Sequence, residues 1–347
     1  MTTLVVGPNW VGDMVMAHTL IGYLRSKRSD EPIHLLSPQW SLSVAERMPE
    51  VDRLIESPFV HGQLDLLNRR KFAKEVIAPE NYRRVFVLPN SWKSALVPFF
   101  ARIPRRIGWR GEWRNGLLTD CRILKPKYFP RLIDQYFALA FPANIAFSSF
   151  SLPQEAIAPC LVFNERNRES WIVKRKIDKN KCVVLCPGAE FGPSKCWPAL
   201  KFSELADKLV NLGSQIVILG SKNDEERGKQ LVENISAENR SRVINLVGET
   251  SIPDAIDILS LADIVVTNDS GLMHLAAALN LKLLALYGSS SPLKTPPISN
   301  NAIIVTNNVP CQPCFERECP LEHHNCLTGL SVEKVMEKIF VLSNRSS

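Results

Sequence analysis

The sequence predicts an α/β protein made of two Rossmann-like, doubly wound parallel-sheet domains in succession, facing a cleft. Three observations carry this. Short apolar runs rich in β-branched residues alternate with stretches of helical period, the pattern of β-α-β units. That alternation lapses between about Ser148 and Lys181 and then begins again. The chain's 347 residues are also enough for two domains of ordinary size. The expected division is a first domain over 1–160, a second over 175–330, and a closing helix over 331–347 with room to cross back onto the first domain.

In the first half, Leu4-Val5-Val6 reads as a strand, Pro8 to Gly12 as a loop and Asp13 to Arg25 as a helix. A strand at Ile33 to Leu36, a helix near Trp40 to Arg47 and a strand near Val51 to Ile55 follow. Arg84 to Leu88 is a further strand, stopped by Pro89-Asn90, with a helix near Lys93 to Ala101. In the second half the strands are Cys182 to Cys186, Gln215 to Leu219, Arg242 to Val247, Ile264 to Thr267 and Lys282 to Tyr287. Helices fall at Ala199 to Leu212, Glu225 to Ile235, Asp254 to Leu261 and Leu272 to Leu279, with Val332 to Leu342 closing the chain. Gly213 stands where a helix end wants a left-handed residue.

Composition narrows the class. With 45% hydrophobic and 22% charged residues the chain has material for cores, which excludes a disordered tail or a small disulfide scaffold. No apolar run approaches the roughly 18–20 residues of a membrane span. The opening Met-Thr-Thr-Leu-Val-Val-Gly lacks the pattern of a secretory signal, so a cytoplasmic protein is expected. The net charge of +7 lies wholly in one window, Arg102 to Arg131, where nine basic residues face only Glu112 and Asp120. Such a field suits a phosphorylated substrate, an anionic lipid surface or nucleic acid, and it also reads as a solvated face.

Three strand-to-helix loops have the composition of ligand sites, since doubly wound sheets bind ligands beyond the carboxyl ends of their strands. Gly7-Pro8-Asn9-Trp10-Val11-Gly12-Asp13 puts a carboxylate at a helix start, where it is either a plain cap or a proton acceptor at the cleft. Pro187 to Pro198 carries one cation, Lys195, as a point charge for phosphate or as a solvated side chain. Thr267-Asn268-Asp269-Ser270-Gly271-Leu272-Met273-His274 opens a helix whose first-turn N–H groups and dipole favour an anion. There Ser270 and Gly271 offer backbone donors, His274 lies one turn on, and Asp269 is a ligand contact or a cap. Neither GxGxxG nor GxxxxGK[ST] occurs, which disfavours an NAD-dependent oxidoreductase and an NTP-hydrolysing P-loop. A nucleic-acid module would leave these loops unused, and a nucleotide-sugar epimerase is the nearest rival.

Taken together, VGPNWVGDMVMA, VLPNSWKSALVPFF, GWRGEWRNGLL, PGAEFGPSKCWP and TNDSGLMHLAAALN resemble the ADP-heptose:lipopolysaccharide heptosyltransferases of glycosyltransferase family 9. The likeness spans about residues 1–300, and GPNWVGD with PNSWKSALVPFF narrows it to the branch that adds the second heptose. It implies the GT-B fold and inverting, metal-independent transfer of L-glycero-D-manno-heptose from ADP-heptose to heptosyl-Kdo2-lipid A. It also implies work at the cytoplasmic face of the inner membrane, with peripheral association and no nucleic-acid partner. By this resemblance Asp13 is the general base and Lys195 the donor-phosphate lysine. Asp269, Ser270, Gly271 and His274 bind donor, Asp224 of the Asp224-Glu225-Glu226 cluster meets the ribose, and the loop at Gly248-Glu249-Thr250 borders adenosine. The basic window then serves acceptor anions, through Lys93, Arg105, Arg106, Arg110 and Arg114.

Four of the nine cysteines crowd into Cys311-x2-Cys314-x4-Cys319-x6-Cys326, with His323 and His324 between the last two. The spacing admits a structural zinc, free thiols, or a disulfide or redox use; the resemblance implies that the cluster does not carry catalysis. No cofactor is expected for catalysis.

Overall fold

The computed structural model describes residues 2–59, 62–142 and 158–344. The chain forms two compact units, Met1–Pro159 and Cys160–Ser347. The first contains β1 (Thr3–Val6), α1 (Val11–Lys27), β2 (Ile33–Ser37), α2 (Gln39–Ala45), β3 (Arg53–Glu56) and α3 (Leu66–Phe72). It continues with β4 (Arg84–Val87), α4 (Leu96–Phe100), β5 (Arg105–Trp109), β6 (Asp120–Arg122) and α5 (Leu132–Ala138). All pairings in its sheet are parallel, in the order β3-β2-β1-β4-β5-β6. The central strand β1 is buried along its whole length, which is why it reads as an unbroken apolar run rather than an alternation.

The second unit contains α6 (Glu165–Arg175), β7 (Cys182–Cys186), α7 (Ala199–Asn211), β8 (Gln215–Ile218), α8 (Glu225–Glu233), β9 (Val243–Asn245) and α9 (Ile252–Leu259). After these come β10 (Ile264–Asn268), α10 (Gly271–Ala278), β11 (Leu283–Tyr287), β12 (Ala302–Thr306), α11 (Asn325–Thr328) and α12 (Val332–Ser343). Its parallel sheet runs β9-β8-β7-β10-β11-β12, which repeats the order of the first sheet strand for strand. Each sheet therefore reverses direction beside its own first strand, between β1 and β4 and between β7 and β10. The loops at these reversals hold Asp13 and Lys93 in one unit, and Lys195 and Asp269 in the other.

Several expectations change. The stretch expected to be a linker up to Lys181 contains α6, packed on α9 and capped by Asn164, whose side chain accepts from the Asn167 N–H. Its sequence is mostly charged and only Trp171 is buried, so it carries little apolar periodicity. The second unit accordingly begins well before residue 175; the rest of the expected linker, 148–157, lies outside the described residues. In the closing helix, Val332, Val335, Met336, Ile339 and Leu342 of α12 fill the second unit's core, against α7 and β10–β12. The expected helix over Lys93–Ala101 is a 3₁₀ turn, Trp92–Ala95, leading into α4. Strands β5 and β6 occupy the basic window, where charge masks the strand pattern.

Candidate active site

In the first unit, Gly7 lies close against the side chains of Met14, Leu35 and Ser37, the nearest atom to a Cβ there being the end of the flexible Met14 side chain at 2.6 Å. The loop then turns into α1, whose first turn carries Asp13. Asp13 is half-buried and lies near enough to Tyr136 of α5 for its charge to add to the burial that raises that phenol's pKa. Beside this loop opens a cavity of about 340 Å³, walled by the ends of the first four strands and by Trp40, Arg69 and Lys93 among others. Trp40 is half exposed, and its indole N–H donates to the Asn9 carbonyl at 2.7 Å. An exposed aromatic face anchored at its polar end suits stacking on a sugar. The opening residues of α2 give no periodic signal for it, so only the cavity identifies Trp40.

The basic residues divide once placed. Arg114 is fully buried, and its guanidinium donates to the carbonyls of Trp109 and Pro89 and to Asn90 Oδ1. It holds its own loop together and is removed from the acceptor contacts. Arg122 is likewise buried, paired with Asp120 at 2.8 Å and donating to the Ala138 and Leu139 carbonyls. Arg106 donates to the Leu117 and Ile103 carbonyls and is half-buried. Arg105 and Arg110 are exposed, and Lys93 Nζ donates to the Gly62 carbonyl at 2.8 Å on the cavity wall. Arg114 and Arg122 thus spend their donors inside the fold, and among these arginines Arg105 and Arg110 are the ones left exposed.

In the second unit, the loop after β7 and the loop after β10 are tied by Asn268. Its Oδ1 accepts from the Trp197 N–H at 3.0 Å and its Nδ2 donates to the Pro187 carbonyl at 2.7 Å. That tie brings Lys195 Nζ to 2.6 Å from Asp269 Oδ2, with the lysine side chain 16% exposed and the aspartate 4%. Ser290, on the loop after β11, donates to the same carboxylate oxygen. Ser270 is the extended N-cap of α10, and its hydroxyl makes no capping bond there but lies 3.3 Å from Thr267 Oγ1. His274 is buried, and burial pulls its pKa down to about 4, so its ring is neutral at neutral pH. The roles of Asn268 and Ser290 escape a sequence reading, because each acts on a loop far away in the chain.

Asp224 lies against the Lys195 loop: a Cβ on Gly188 would fall 2.2 Å from its carboxyl carbon. One of its oxygens is committed to a capping box, accepting from the Ser221 N–H and hydroxyl at 2.9 and 2.8 Å. Its neighbour Glu225 reaches Gly248, where a Cβ would fall 2.5 Å from Glu225 Oε1, so Glu225 faces the Gly248-Glu249-Thr250 loop. Thr250 is half-buried on that loop. Cys311, Cys314, Cys319 and Cys326 are free thiols around a cavity of about 20 Å³ that Ser194, Ser289, His323 and His324 also line. Burial, reinforced by the three neighbouring thiols, raises the Cys326 pKa. Among the described residues no group of three or more His, Cys, Asp or Glu is arranged to hold a metal ion.

Twin sheets of one strand order, with a carboxylate at one reversal and an anion-suited loop pair at the other, are the two-domain GT-B architecture. Residues 69–325 match the family model described as glycosyltransferase family 9 (heptosyltransferase). The chain is 39% identical to lipopolysaccharide heptosyltransferase 2 of Escherichia coli K12, over 99% of this chain and 98% of that one. It is also 39% identical to lipooligosaccharide heptosyltransferase 2 of Haemophilus influenzae, over 88% of each. Its fold superposes on the E. coli ADP-heptose LPS heptosyltransferase II structure with a TM-score of 0.88 at 37% identity, covering 99% and 98% of the two chains. The chain belongs to glycosyltransferase family 9, the heptosyltransferases.

Proposed function

We propose that this enzyme transfers L-glycero-D-manno-heptose, with inversion, from ADP-heptose to heptosyl-Kdo2-lipid A, adding the second heptose of the lipopolysaccharide inner core. The observation that carries the reading is the pairing of Lys195 with Asp269 where the second sheet reverses, with Asp13 where the first does, in a chain so similar throughout to heptosyltransferases 2. Asp13 accepts the proton of the acceptor hydroxyl as that oxygen attacks the anomeric carbon. An aspartate is a weak base, so it acts late, as the hydroxyl grows acidic in an oxocarbenium-like transition state.

The diphosphate leaves toward Lys195 and the first-turn N–H groups of α10, which stabilise its charge with no metal required. Glu225 is better placed than Asp224 for the ribose, since it borders the Gly248–Thr250 loop and one oxygen of the Asp224 carboxylate is engaged in capping. His274, being neutral, offers the donor a hydrogen bond and no charge. On the acceptor side, the cavity with Trp40 and Lys93 receives the sugar, and exposed Arg105 and Arg110 attract Kdo carboxylates and lipid phosphates. On this reading the lipid acceptor is met from a peripheral, cytoplasmic position; among the described residues no helix is long and apolar enough to cross a membrane.

The test is ADP release from ADP-heptose with and without heptosyl-Kdo2-lipid A. Release only with acceptor, coupled to a glycolipid heavier by one heptose, is the expected result. Equal release without acceptor, or an isomerised sugar nucleotide, would overturn the assignment. Raising salt should raise the acceptor KM more than the donor KM.

A further inference from the structure

The donor-side groups described so far carry no net positive charge. Lys195 is cancelled by Asp269 at 2.6 Å, His274 is neutral, and Asp224 adds a carboxylate against Gly188. A nucleoside diphosphate brings several negative charges into this space. Helix α10 contributes only about half a unit charge. A further cation is missing from the inventory.

We propose that Arg317 is that cation: a diphosphate-binding residue, carried to the Lys195 loop by the cysteine-rich segment 311–326. The inference rests on the donor reading above. The segment is seated on the Lys195 loop and on the loop after β11, which also carries Ser290. The Ser194 N–H donates to the Arg317 carbonyl at 3.2 Å, and the Ser194 hydroxyl donates to the carbonyl of Glu316. The Phe315 N–H donates to the Ser289 carbonyl at 2.8 Å, and Ser194 and Ser289 share a hydroxyl contact at 2.8 Å. Gly192 takes φ 150°, and a Cβ there would fall 2.6 Å from the Arg317 carbonyl oxygen, so a side chain at 192 would push the two segments apart.

The Phe191 ring then marks the neighbourhood of the two cations. Lys195 Nζ lies 4.9 Å from its centroid and the Arg317 guanidinium carbon 5.5 Å from it. Arg317 is exposed, and among the described residues no carboxylate forms an ion pair with it. Its planar fork can hold two phosphate oxygens at once, where Lys195 offers a point charge. The four thiols gain a purpose in this arrangement: packed around their small cavity with Ser194 and Ser289, they give the Arg317 turn a fixed seat.

The experiment is calorimetric titration of the full chain with ADP and with adenosine, for the parent, R317A and R317K. The expected result is a loss of about tenfold in ADP affinity for R317A, equivalent to about 1.4 kcal/mol. Adenosine affinity should change by less than about twofold, and R317K should recover part of the ADP loss, since lysine keeps the charge without the fork. An R317A protein that binds ADP within about twofold of the parent would overturn the inference alone. Equal losses for ADP and adenosine would also overturn it, because they would mark a prop for the loop rather than a phosphate contact. A parent chain that binds adenosine and ADP equally, or neither, would instead overturn the donor reading on which it stands.

Discussion

Replacing Lys195 by methionine isolates the energetics of the donor-side ion pair. The pair is nearly dry, with 16% and 4% of the two side chains exposed. Removing one member leaves the Asp269 carboxylate buried with only Ser290 donating to its Oδ2. Breaking a buried pair from one side costs about 3–5 kcal/mol. The partial exposure of Lys195 and the surviving serine bond place this case at the lower end, about 3 kcal/mol. For a domain of roughly 150–250 residues that is a Tm drop of about 6–12 °C in the second unit's transition. The double variant K195M/D269N leaves no orphaned charge and should regain most of the loss. Scanning calorimetry of nucleotide-free parent, single and double variants reads this directly. A K195M transition within about 1 kcal/mol of the parent, or a double variant no more stable than the single, would refute the reasoning.

Three further outcomes follow from the same structure. D13N should bind ADP-heptose like the parent yet lose transfer by about 10²–10⁴-fold in kcat; near-normal turnover in a radiolabelled-heptose assay would remove Asp13 from the chemistry. R114A should lower the first unit's Tm, because it leaves the Pro89 and Trp109 carbonyls without their donor, by about 3 kcal/mol in stability. An unchanged melt joined to a raised acceptor KM would return Arg114 to the substrate. His274, whose folded pKa of about 4 lies below its unfolded value, favours unfolding as the unfolded imidazole takes up a proton. Its stabilising contribution is whole above pH 6.5, falls as pH drops from about 6.5 toward 4, and is flat below that. H274Q should flatten this part of the stability-against-pH curve, measured by urea midpoints, and an unaltered slope would count against it.

The sequence by itself determined the fold class, most central strands to within a residue or two, and the loops where chemistry belongs. Parallel strands buried on both faces are continuous apolar runs, so Cys182–Cys186 and Ile264–Asn268 announce themselves locally. Strand-to-helix loops announce themselves through Gly, Pro and small polar residues, and this made Asp13, Lys195 and Asp269 readable as candidates. Charged segments did not behave so plainly. Helix α6 and strands β5 and β6 carry too little apolar period to be seen, because tertiary contacts rather than local pattern hold them.

What only the tertiary structure decided was which charges remain available. Arg114 and Arg122 look like Arg105 and Arg110 in the chain, yet burial turns the first two into hydrogen-bond staples for carbonyls. Asp269 looks like a donor contact, yet it neutralises Lys195, and that shifts attention to Arg317, 122 residues beyond Lys195. A residue's charge is written in its identity. Its electrostatic effect depends on solvent and partners within a few ångströms, and those neighbours come from loops that only folding brings together.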